Sequence, residues 1–258
     1  ATQYRGGAEM VSDELQQACP NWAVIVPCPA GQVAEDVDLY VVQNCFQYHA
    51  DVIPLLEKKP TIKMIHDLWP HGDEALRSWL MNHAALLIFV SDEQMLAFPF
   101  LRAPDVKVRF APAPVNTAPF KAAQKTTRSG AVWLGRMWPG KGIKNALRWA
   151  EENKTPLDFY GYGPDTELIE GKWGNYRGRV AYEDLPDLLG GYEKFVFLPD
   201  ALDCYSRTTV EAWAAGCELI INQNVGALGW LDFVESQYQI ERGAEIFWEH
   251  VKVVSDGR

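Results

Sequence analysis

Short apolar runs alternate with amphipathic segments along the whole chain. Each run is a continuous apolar block rather than an alternation of apolar and polar residues, which is typical of strands covered on both faces. These runs predict strands at residues 22–28, 38–44, 61–67, 85–91, 106–112, 130–136, 157–163, 194–199 and 218–223. Helical spacing occurs between them, as in Val11, Leu15 and Cys19. Strands that alternate with helices in this way predict an α/β fold with parallel sheets.

A stretch rich in proline and small polar residues interrupts this pattern at residues 111–130. It lacks hydrophobic periodicity and predicts a linker between two α/β halves. We therefore expect one Rossmann-like domain at residues 1–115 and a second at residues 116–258. Two such open sheets predict a cleft between them at the carboxyl ends of their strands, where ligands bind in folds of this class.

The chain is acidic, with 34 Asp and Glu against 24 Lys and Arg and a formal net charge of -10. This balance argues against sequence-independent nucleic-acid binding, which requires a basic surface. No apolar run reaches the ~18 residues of a transmembrane segment, and the N-terminus lacks a signal-peptide pattern. The 5 cysteines form no C-x-x-C pair, as expected of reduced thiols in a cytoplasmic protein.

The loop "LGRMWPGKGI", residues 134–143, is the first candidate for binding chemistry. It follows a predicted strand, carries Arg136 and Lys141, and leads into a helix predicted from about Asn145. Two cations at the carboxyl end of a strand, beside a helix N-terminus, suit an anion such as a pyrophosphate. A solvated turn with two surface cations accounts for the same residue types.

Three weaker motifs lie at other strand or helix ends. Gly161 and Gly163, in "FYGYGPD", allow close approach of the backbone to a ligand, or form a turn before a helix predicted near Thr166. Gly7, in "GGAEM", precedes a helix whose N-terminus suits phosphates or a sugar, although a plain helix-starting turn explains it as well. His66, in "MIHDLW", ends a predicted strand and faces the predicted cleft; a structural hydrogen-bonding role is the alternative.

The stretch "DCYSRTTVE" places two carboxylates, Asp203 and Glu211, around the start of a predicted helix. Carboxylates accept several hydrogen bonds each and so suit the vicinal hydroxyls of sugars. Ser206 lies at the helix start, where free N–H groups favour phosphate oxygens. Either acid alone is explained by ordinary helix capping and stabilisation of the helix dipole. The histidines show neither H-x-x-x-H nor H-E-x-x-H spacing, which disfavours a metal site.

The order of these pieces is more specific than any one of them. The succession GGAE, HD, GRMWPGKG, GYGP and an acid-x7-Glu helix followed by AWAAG resembles the GT-B nucleotide-sugar glycosyltransferases. It is most similar to the family 4-like (group 1) enzymes, the large retaining family that includes sucrose synthases and lipopolysaccharide and mannosyl transferases. The resemblance covers about residues 6–235 and is strongest over 131–233. It implies two Rossmann-like domains facing a cleft, an acceptor-side domain and a C-terminal domain that binds the nucleotide sugar. Family chains generally have a full strand before the GGAE motif, whereas five residues precede Gly6 here, so we expect a shortened acceptor-side domain.

The resemblance assigns the main roles in the second domain. Arg136 and Lys141 would clamp the donor diphosphate and stabilise the leaving nucleoside diphosphate. Glu211 would bind the ribose hydroxyls of the nucleotide, and Asp203 would contact hydroxyls of the transferred sugar. Family members need no metal, so no cofactor is expected beyond the nucleotide sugar itself as co-substrate.

Smaller contributions to the site follow from the same resemblance. Gly161, Gly163 and Val180 match the wall around the nucleotide base. His66 matches a first-domain histidine often found near the sugar, which places it with the catalytic residues. Gly7 matches a glycine loop that faces the diphosphate.

The chain departs from the family pattern at three of these positions. Asp203 stands where the family has Glu, and is one methylene shorter. Tyr205 and Ser206 stand where the family usually has Phe and Gly, close to the sugar and the phosphates, so Ser206 adds bulk beside the phosphates.

We expect a retaining, metal-independent glycosyltransferase that moves a sugar from a nucleotide-sugar donor to a hydroxyl of an unidentified glycan, lipid or small-molecule acceptor. The alternative is a non-catalytic sugar-nucleotide or glycan-binding module derived from such an enzyme. A GT-B epimerase would share the fold and donor but would carry additional acids and histidines in the cleft. A nicotinamide-dependent enzyme is disfavoured because the G-x-G-x-x-G fingerprint is missing after the strands.

Overall fold

Each of the two units of the chain is built on a parallel β-sheet. The computed structural model describes residues 7–28, 32–43, 48–68, 72–99, 102–169, 171–231 and 239–257. The first unit comprises Ala1–Pro114 and Gly229–Arg258, and the second comprises Val115–Leu228. Residues 229–258, which the sequence pattern assigns to the second domain, lie in the first unit.

The first unit contains four parallel strands that lie side by side in chain order. They are β1 (Tyr40–Val42), β2 (Thr61–Ile65), β3 (Leu86–Phe89) and β4 (Val108–Phe110). Its helices include α1 (Gly7–Gln17), α2 (Ile53–Leu56), α3 (Glu74–His83) and α4 (Asp92–Ala97), with a short 3-10 helix at Ala50–Val52. Every residue of β2 and β3 is buried, as the continuous apolar runs predict for strands covered on both faces.

The C-terminal helix explains why the end of the chain belongs to the first unit. After α9 (Leu228–Leu231), the helix α10 (Gly243–Asp256) packs against α1. The indole N–H of Trp248 donates to the carbonyl of Leu15 at 3.0 Å, and Phe247 is 2% exposed. Burial of these aromatic side chains is strongly favourable, and it links the two ends of the chain.

The second unit contains five parallel strands in the order β7-β6-β5-β8-β9. They are β5 (Ala131–Arg136), β6 (Leu157–Tyr162), β7 (Gly174–Gly178), β8 (Lys194–Phe197) and β9 (Glu218–Ile221). The helices are α5 (Ala118–Ala122), α6 (Ile143–Glu152), α7 (Leu185–Gly191) and α8 (Arg207–Ala214), with 3-10 helices at Pro164–Leu168 and Tyr182–Asp184. The aromatic rings of Trp133, Phe159 and Phe197 pack together inside the unit.

One predicted strand, at residues 22–28, does not form. Residues 23–28 have no strand assignment, and Val24 and Val26 are 90% and 53% exposed. Ala23 turns back to donate to the carbonyl of Pro20, and Pro27 has no N–H to offer a neighbouring strand. Although the run is apolar, its backbone therefore does not pair with another strand among the described residues.

The opposite difference occurs at β7, whose sequence "GNYRG" contains no apolar block. This strand pairs with β6 at the edge of the sheet, and Tyr176 is 48% exposed. Strand pairing and not burial defines β7, which is why hydrophobic periodicity does not predict it.

Two other local predictions need correction. The expected linker at 111–130 contains a short helix, α5, in which Pro119 occupies the first turn and Phe120 is fully buried. The helix expected near Thr166 is the 3-10 helix at Pro164–Leu168. Among the residues that the structure describes, no helix has both the length and the apolar character needed to cross a membrane.

Candidate functional site

The loop after β5 is fixed against the end of β8 by its glycines. The carbonyl of Gly140 accepts hydrogen bonds from the N–H groups of Asp200 and Ala201, at 2.9 and 3.4 Å. Gly142 has a φ of 75°, and a Cβ atom there would lie 2.0 Å from the carbonyl oxygen of Leu198. Only glycine fits this position. Arg136 ends β5, and Lys141 directly precedes Gly142, the N-cap residue of α6, so the two cations belong to one short connection.

Lys141 and Asp203 form an ion pair in which Nζ lies 2.6 Å from Oδ2. The lysine side chain is 37% exposed and the aspartate side chain 15% exposed, so the pair is partly shielded from solvent. The main chain of Asp203 is held as well, because its N–H donates to Asn224 and its carbonyl accepts from Gly226, both at 2.8 Å. The two charged residues that the sequence predicts at the phosphate and sugar ends of one site therefore meet, although 62 residues separate them.

The segment between Asp203 and α8 is tightly enclosed. Ser206 adopts a left-handed conformation with φ 59° and ψ 78°, and its Oγ lies 2.7 Å from Oγ1 of Thr209. A left-handed serine is unfavourable and turns the chain sharply into the helix. Tyr205 is 5% exposed, and within the described residues its hydroxyl has no hydrogen-bond partner. Burial raises the pKa of Tyr205 well above its ordinary value, against the opposing charge of Arg207.

Glu211, in the second turn of α8, is 2% exposed. Its Oε1 accepts a hydrogen bond from the hydroxyl of Tyr182 at 3.2 Å and lies 3.8 Å from Nη2 of Arg207. Burial, followed by the charge of Glu211, raises the pKa of Tyr182, so this hydroxyl remains a proton donor at neutral pH. Neither contact of Glu211 was predicted from the sequence. Arg207 and Glu211 are four residues apart, a spacing that predicts contact between two side chains on one face of a helix. Tyr182 is 29 residues from Glu211, and no local pattern in the sequence links the two.

Gly161 and Gly163 are required by the packing of β6 against β5 and its following loop. Their φ angles are 141° and 146°, and added Cβ atoms would lie 1.8 Å from the carbonyl oxygen of Gly135 and 2.2 Å from that of Met137. This close backbone approach explains both glycines without a ligand. Val180 is half-buried in the connection after β7, and the preceding Arg179 guanidinium stacks 3.9 Å above the ring centroid of Tyr162.

His66 and Gly7, the two candidates in the first unit, have ordinary local environments. His66 follows β2, and its Nε2 lies 3.1 Å from the side-chain oxygen of Gln43. Gly7 is exposed and is the first residue of α1. Within the described residues, no cluster of three or more His, Cys, Asp or Glu side chains has an arrangement that could hold a metal ion.

Each unit has the parallel α/β sheet that the sequence predicts, and solved glycosyltransferase structures share this fold of two parallel-sheet units. Solved structures of this fold superpose on nearly the whole chain. AviGT4, a glycosyltransferase involved in avilamycin A biosynthesis, has a TM-score of 0.67 at 17% identity, over 99% of this chain and 92% of that one.

Two further solved structures show the same fold with somewhat lower TM-scores. HepE from Anabaena, in complex with UDP-glucose, has a TM-score of 0.56 at 16% identity, over 96% of this chain and 74% of its own. Sucrose-phosphate synthase from Thermosynechococcus elongatus has a TM-score of 0.57 at 16% identity, over 74% of this chain and 57% of its own. No protein-family model matches the sequence, and no curated protein matches it significantly.

Proposed function

We propose that the chain is a glycosyltransferase that moves a sugar from a nucleotide-sugar donor to a hydroxyl of an acceptor. The observation that carries this proposal is the meeting of Lys141 and Asp203 at 2.6 Å, at the carboxyl ends of the neighbouring strands β5 and β8. Ligands of open parallel sheets bind at this edge. Lys141 would bind the phosphates and Asp203 the sugar hydroxyls, two groups that lie side by side in a nucleotide sugar.

Arg136 and Lys141 would act on the donor diphosphate. When the glycosidic bond breaks, negative charge develops on the leaving nucleoside diphosphate, and fixed cations stabilise that charge without reorganising. Lys141 is well suited to this role because its loop is locked by Gly142 and by the hydrogen bonds of Gly140. In the free protein, Asp203 neutralises Lys141; in the complex, the diphosphate would compete for the same ammonium group.

The remaining assignments concern the rest of the donor. Asp203 would accept hydrogen bonds from hydroxyls of the transferred sugar, and Glu211 from hydroxyls of the ribose. Tyr205 and Ser206 would lie beside the sugar and the phosphates, near the N-terminus of α8, whose free N–H groups attract anions. Val180, with its neighbours, would border the base.

The mechanism that we propose is retaining and metal-independent. The acceptor hydroxyl would attack from the face that the diphosphate leaves, and the protein cations would take the role that a divalent metal plays in other transferases. His66 and Gly7 would contribute from the first unit, beside the sugar and the diphosphate respectively. HepE was solved with UDP and with UDP-glucose, so uridine is the first nucleotide to test.

The Lys141→Ala variant tests the diphosphate assignment. Loss of one charge-stabilising group of this kind costs about 2–4 kcal/mol in the transition state, so donor turnover should fall roughly 30- to 1000-fold. The assay measures nucleoside diphosphate released from UDP-, GDP- and ADP-sugars by the full chain. Lys144→Ala removes an exposed lysine from the neighbouring helix and serves as the control. Equal turnover in both variants and the unchanged protein would exclude Lys141 from the site.

A non-catalytic sugar-nucleotide or glycan-binding module is the second candidate, and the pairing of Lys141 with Asp203 favours considering it. The cation proposed to stabilise the leaving diphosphate already has a carboxylate at 2.6 Å, which would reduce its effect on the transition state. The same assay separates the two functions. Saturable binding of a nucleoside diphosphate without release of any nucleotide from its sugar conjugates identifies the module.

A further inference from the structure

Tyr182 is the exposed member of the polar group that surrounds Glu211. It is 36% exposed, whereas the side chains of Arg207 and Glu211 are 10% and 2% exposed. The ring of Tyr182 packs edge-on against the buried ring of Phe120, with their centroids 6.3 Å apart. The hydroxyl of Tyr182 thus contacts the carboxylate of Glu211 from the solvent-facing side, while that carboxylate itself is nearly inaccessible to solvent.

This arrangement leaves a ligand with little access to Glu211. A ribose that is to donate a hydrogen bond to this carboxylate needs a neighbouring side chain to give way. Arg207 is a poor candidate, because it lies on the same helix one turn from Glu211 and is nearly buried. Tyr182 lies on a separate, short 3-10 helix between β7 and α7, so its side chain can move without disturbing α8.

The chemistry of the tyrosine contact matches that of a ribose contact. Both are single, neutral O–H groups that donate to a carboxylate oxygen. The distance of 3.2 Å from the tyrosine hydroxyl to Oε1 is longer than the ~2.5–3.0 Å of a strong O–H···O bond. Exchanging this bond for one from a ribose hydroxyl would keep the buried carboxylate hydrogen-bonded, and so avoid the cost of leaving it unsatisfied.

We propose that the Tyr182 hydroxyl stands in for a ribose hydroxyl of the nucleotide and is exchanged for it when the donor binds. This inference rests on the proposed function, since it takes Glu211 as the ribose-binding acid. It makes Tyr182 a specificity-determining residue, because only a nucleotide that brings its own ribose hydroxyl compensates for the bond that is broken. A nucleotide without ribose hydroxyls leaves the tyrosine in place.

The Tyr182→Phe variant gives the test, with affinity measured by calorimetry on the full chain. The ligands are UDP, GDP and ADP and their 2′,3′-dideoxy counterparts. In the variant no tyrosine bond has to be broken, so the ribonucleotide that binds should bind roughly three- to tenfold more tightly, the ratio given by one ordinary hydrogen bond. The affinity for the dideoxy form should change less than about twofold. The Tyr182→Leu variant also lacks the hydroxyl. Like Tyr182→Phe, it should raise the affinity for the ribonucleotide and leave the affinity for the dideoxy form nearly unchanged.

A matched control is available in the same unit. The hydroxyl of Tyr192 donates to Oδ2 of Asp158 at 2.7 Å, and this carboxylate has no part in the proposed site. Tyr192→Phe therefore removes a tyrosine–carboxylate hydrogen bond without touching Glu211. It should leave the affinities for the ribose and dideoxy forms unchanged.

The outcomes separate this inference from the proposed function. If the unchanged protein binds none of the three nucleoside diphosphates, the proposed function fails and the inference fails with it. If it binds one and discriminates against the dideoxy form, but Tyr182→Phe weakens binding or leaves it unchanged, only the inference fails. If Tyr182→Phe raises the affinity for the ribose and dideoxy forms equally, the inference also fails. The tyrosine would then obstruct the site without replacing a ribose hydroxyl.

Discussion

At the scale of single residues, the ion pair between Lys141 and Asp203 is the feature with the clearest consequences. Its 2.6 Å contact is partly buried, and the backbone hydrogen bonds of Asp203 hold one partner in place. A partly desolvated pair of this kind restrains both side chains more than an exposed pair does. In the free protein, the carboxylate of Asp203 therefore holds the ammonium group of Lys141 in place.

The Asp203→Asn variant separates the two roles that this residue would have. Removing the carboxylate charge ends its competition with the diphosphate for Lys141, so the affinity for nucleoside diphosphate should rise about two- to tenfold. Turnover of the nucleotide sugar should fall, because the contact to the sugar hydroxyls is weakened. Calorimetry and an assay of nucleotide release measure the two effects. Asp200→Asn, a nearby change, is the control. Weaker binding of the nucleoside diphosphate would show that Asp203 does not compete for Lys141.

Residue chemistry and spacing predicted part of this site. The Arg136 and Lys141 loop and the acid-x7-Glu spacing could be read from the sequence, because each motif is local. The partners of Glu211 could not: Tyr182 reaches it across 29 residues, and only the folded chain shows that contact. The burial of Glu211 was missed for the same reason, since an acid early in a helix is usually exposed.

At the scale of elements, backbone contacts between neighbouring strands explain why glycines follow β5 and β6. The loops after these strands approach so closely that a Cβ atom at Gly163 would lie 2.2 Å from the carbonyl oxygen of Met137. From the sequence alone, this glycine could serve either a ligand or a turn. The structure supplies a packing reason that is sufficient without a ligand.

Gly163→Ala and Gly178→Ala form a matched pair for this point. Both glycines have positive φ, 146° and 83°, but an added Cβ at Gly178 has nothing within 4 Å. Gly178→Ala should cost about 1–2 kcal/mol of folding free energy from backbone strain alone. Gly163→Ala should cost more, because it adds a clash with a backbone oxygen. Chemical denaturation measures both, and equal losses would contradict the close approach.

Strand prediction succeeded where strands are buried on both faces and failed where burial and pairing diverge. β2 and β3 are mostly apolar and fully buried, and their apolar runs predict them correctly. β7 is a polar edge strand defined by its pairing with β6, and the apolar run at residues 22–28 remains exposed in the structure. Hydrophobic periodicity reports burial, and so it misplaces an element whenever backbone pairing follows a different pattern.

At the scale of the whole molecule, the sequence predicted the two parallel-sheet units but not the return of the last helix to the first of them. That return depends on long-range contacts such as the bond from Trp248 to Leu15, which no local pattern indicates. The same limit applies to function. The fold is shared with AviGT4, HepE and sucrose-phosphate synthase, whereas donor and acceptor depend on side chains that fold alone does not specify.

The proposed function requires this chain to break the bond between a sugar and its nucleoside diphosphate. Real-time ¹H and ³¹P NMR of the full chain with UDP-glucose, GDP-mannose and ADP-glucose, and with simple glycosides as acceptors, follows that bond itself. We expect nucleoside diphosphate to accumulate from one donor, and the sugar to appear first with the anomeric configuration that it had in that donor. Intact donors throughout, or cleavage between the two phosphates to give nucleoside monophosphate and sugar phosphate, would contradict it.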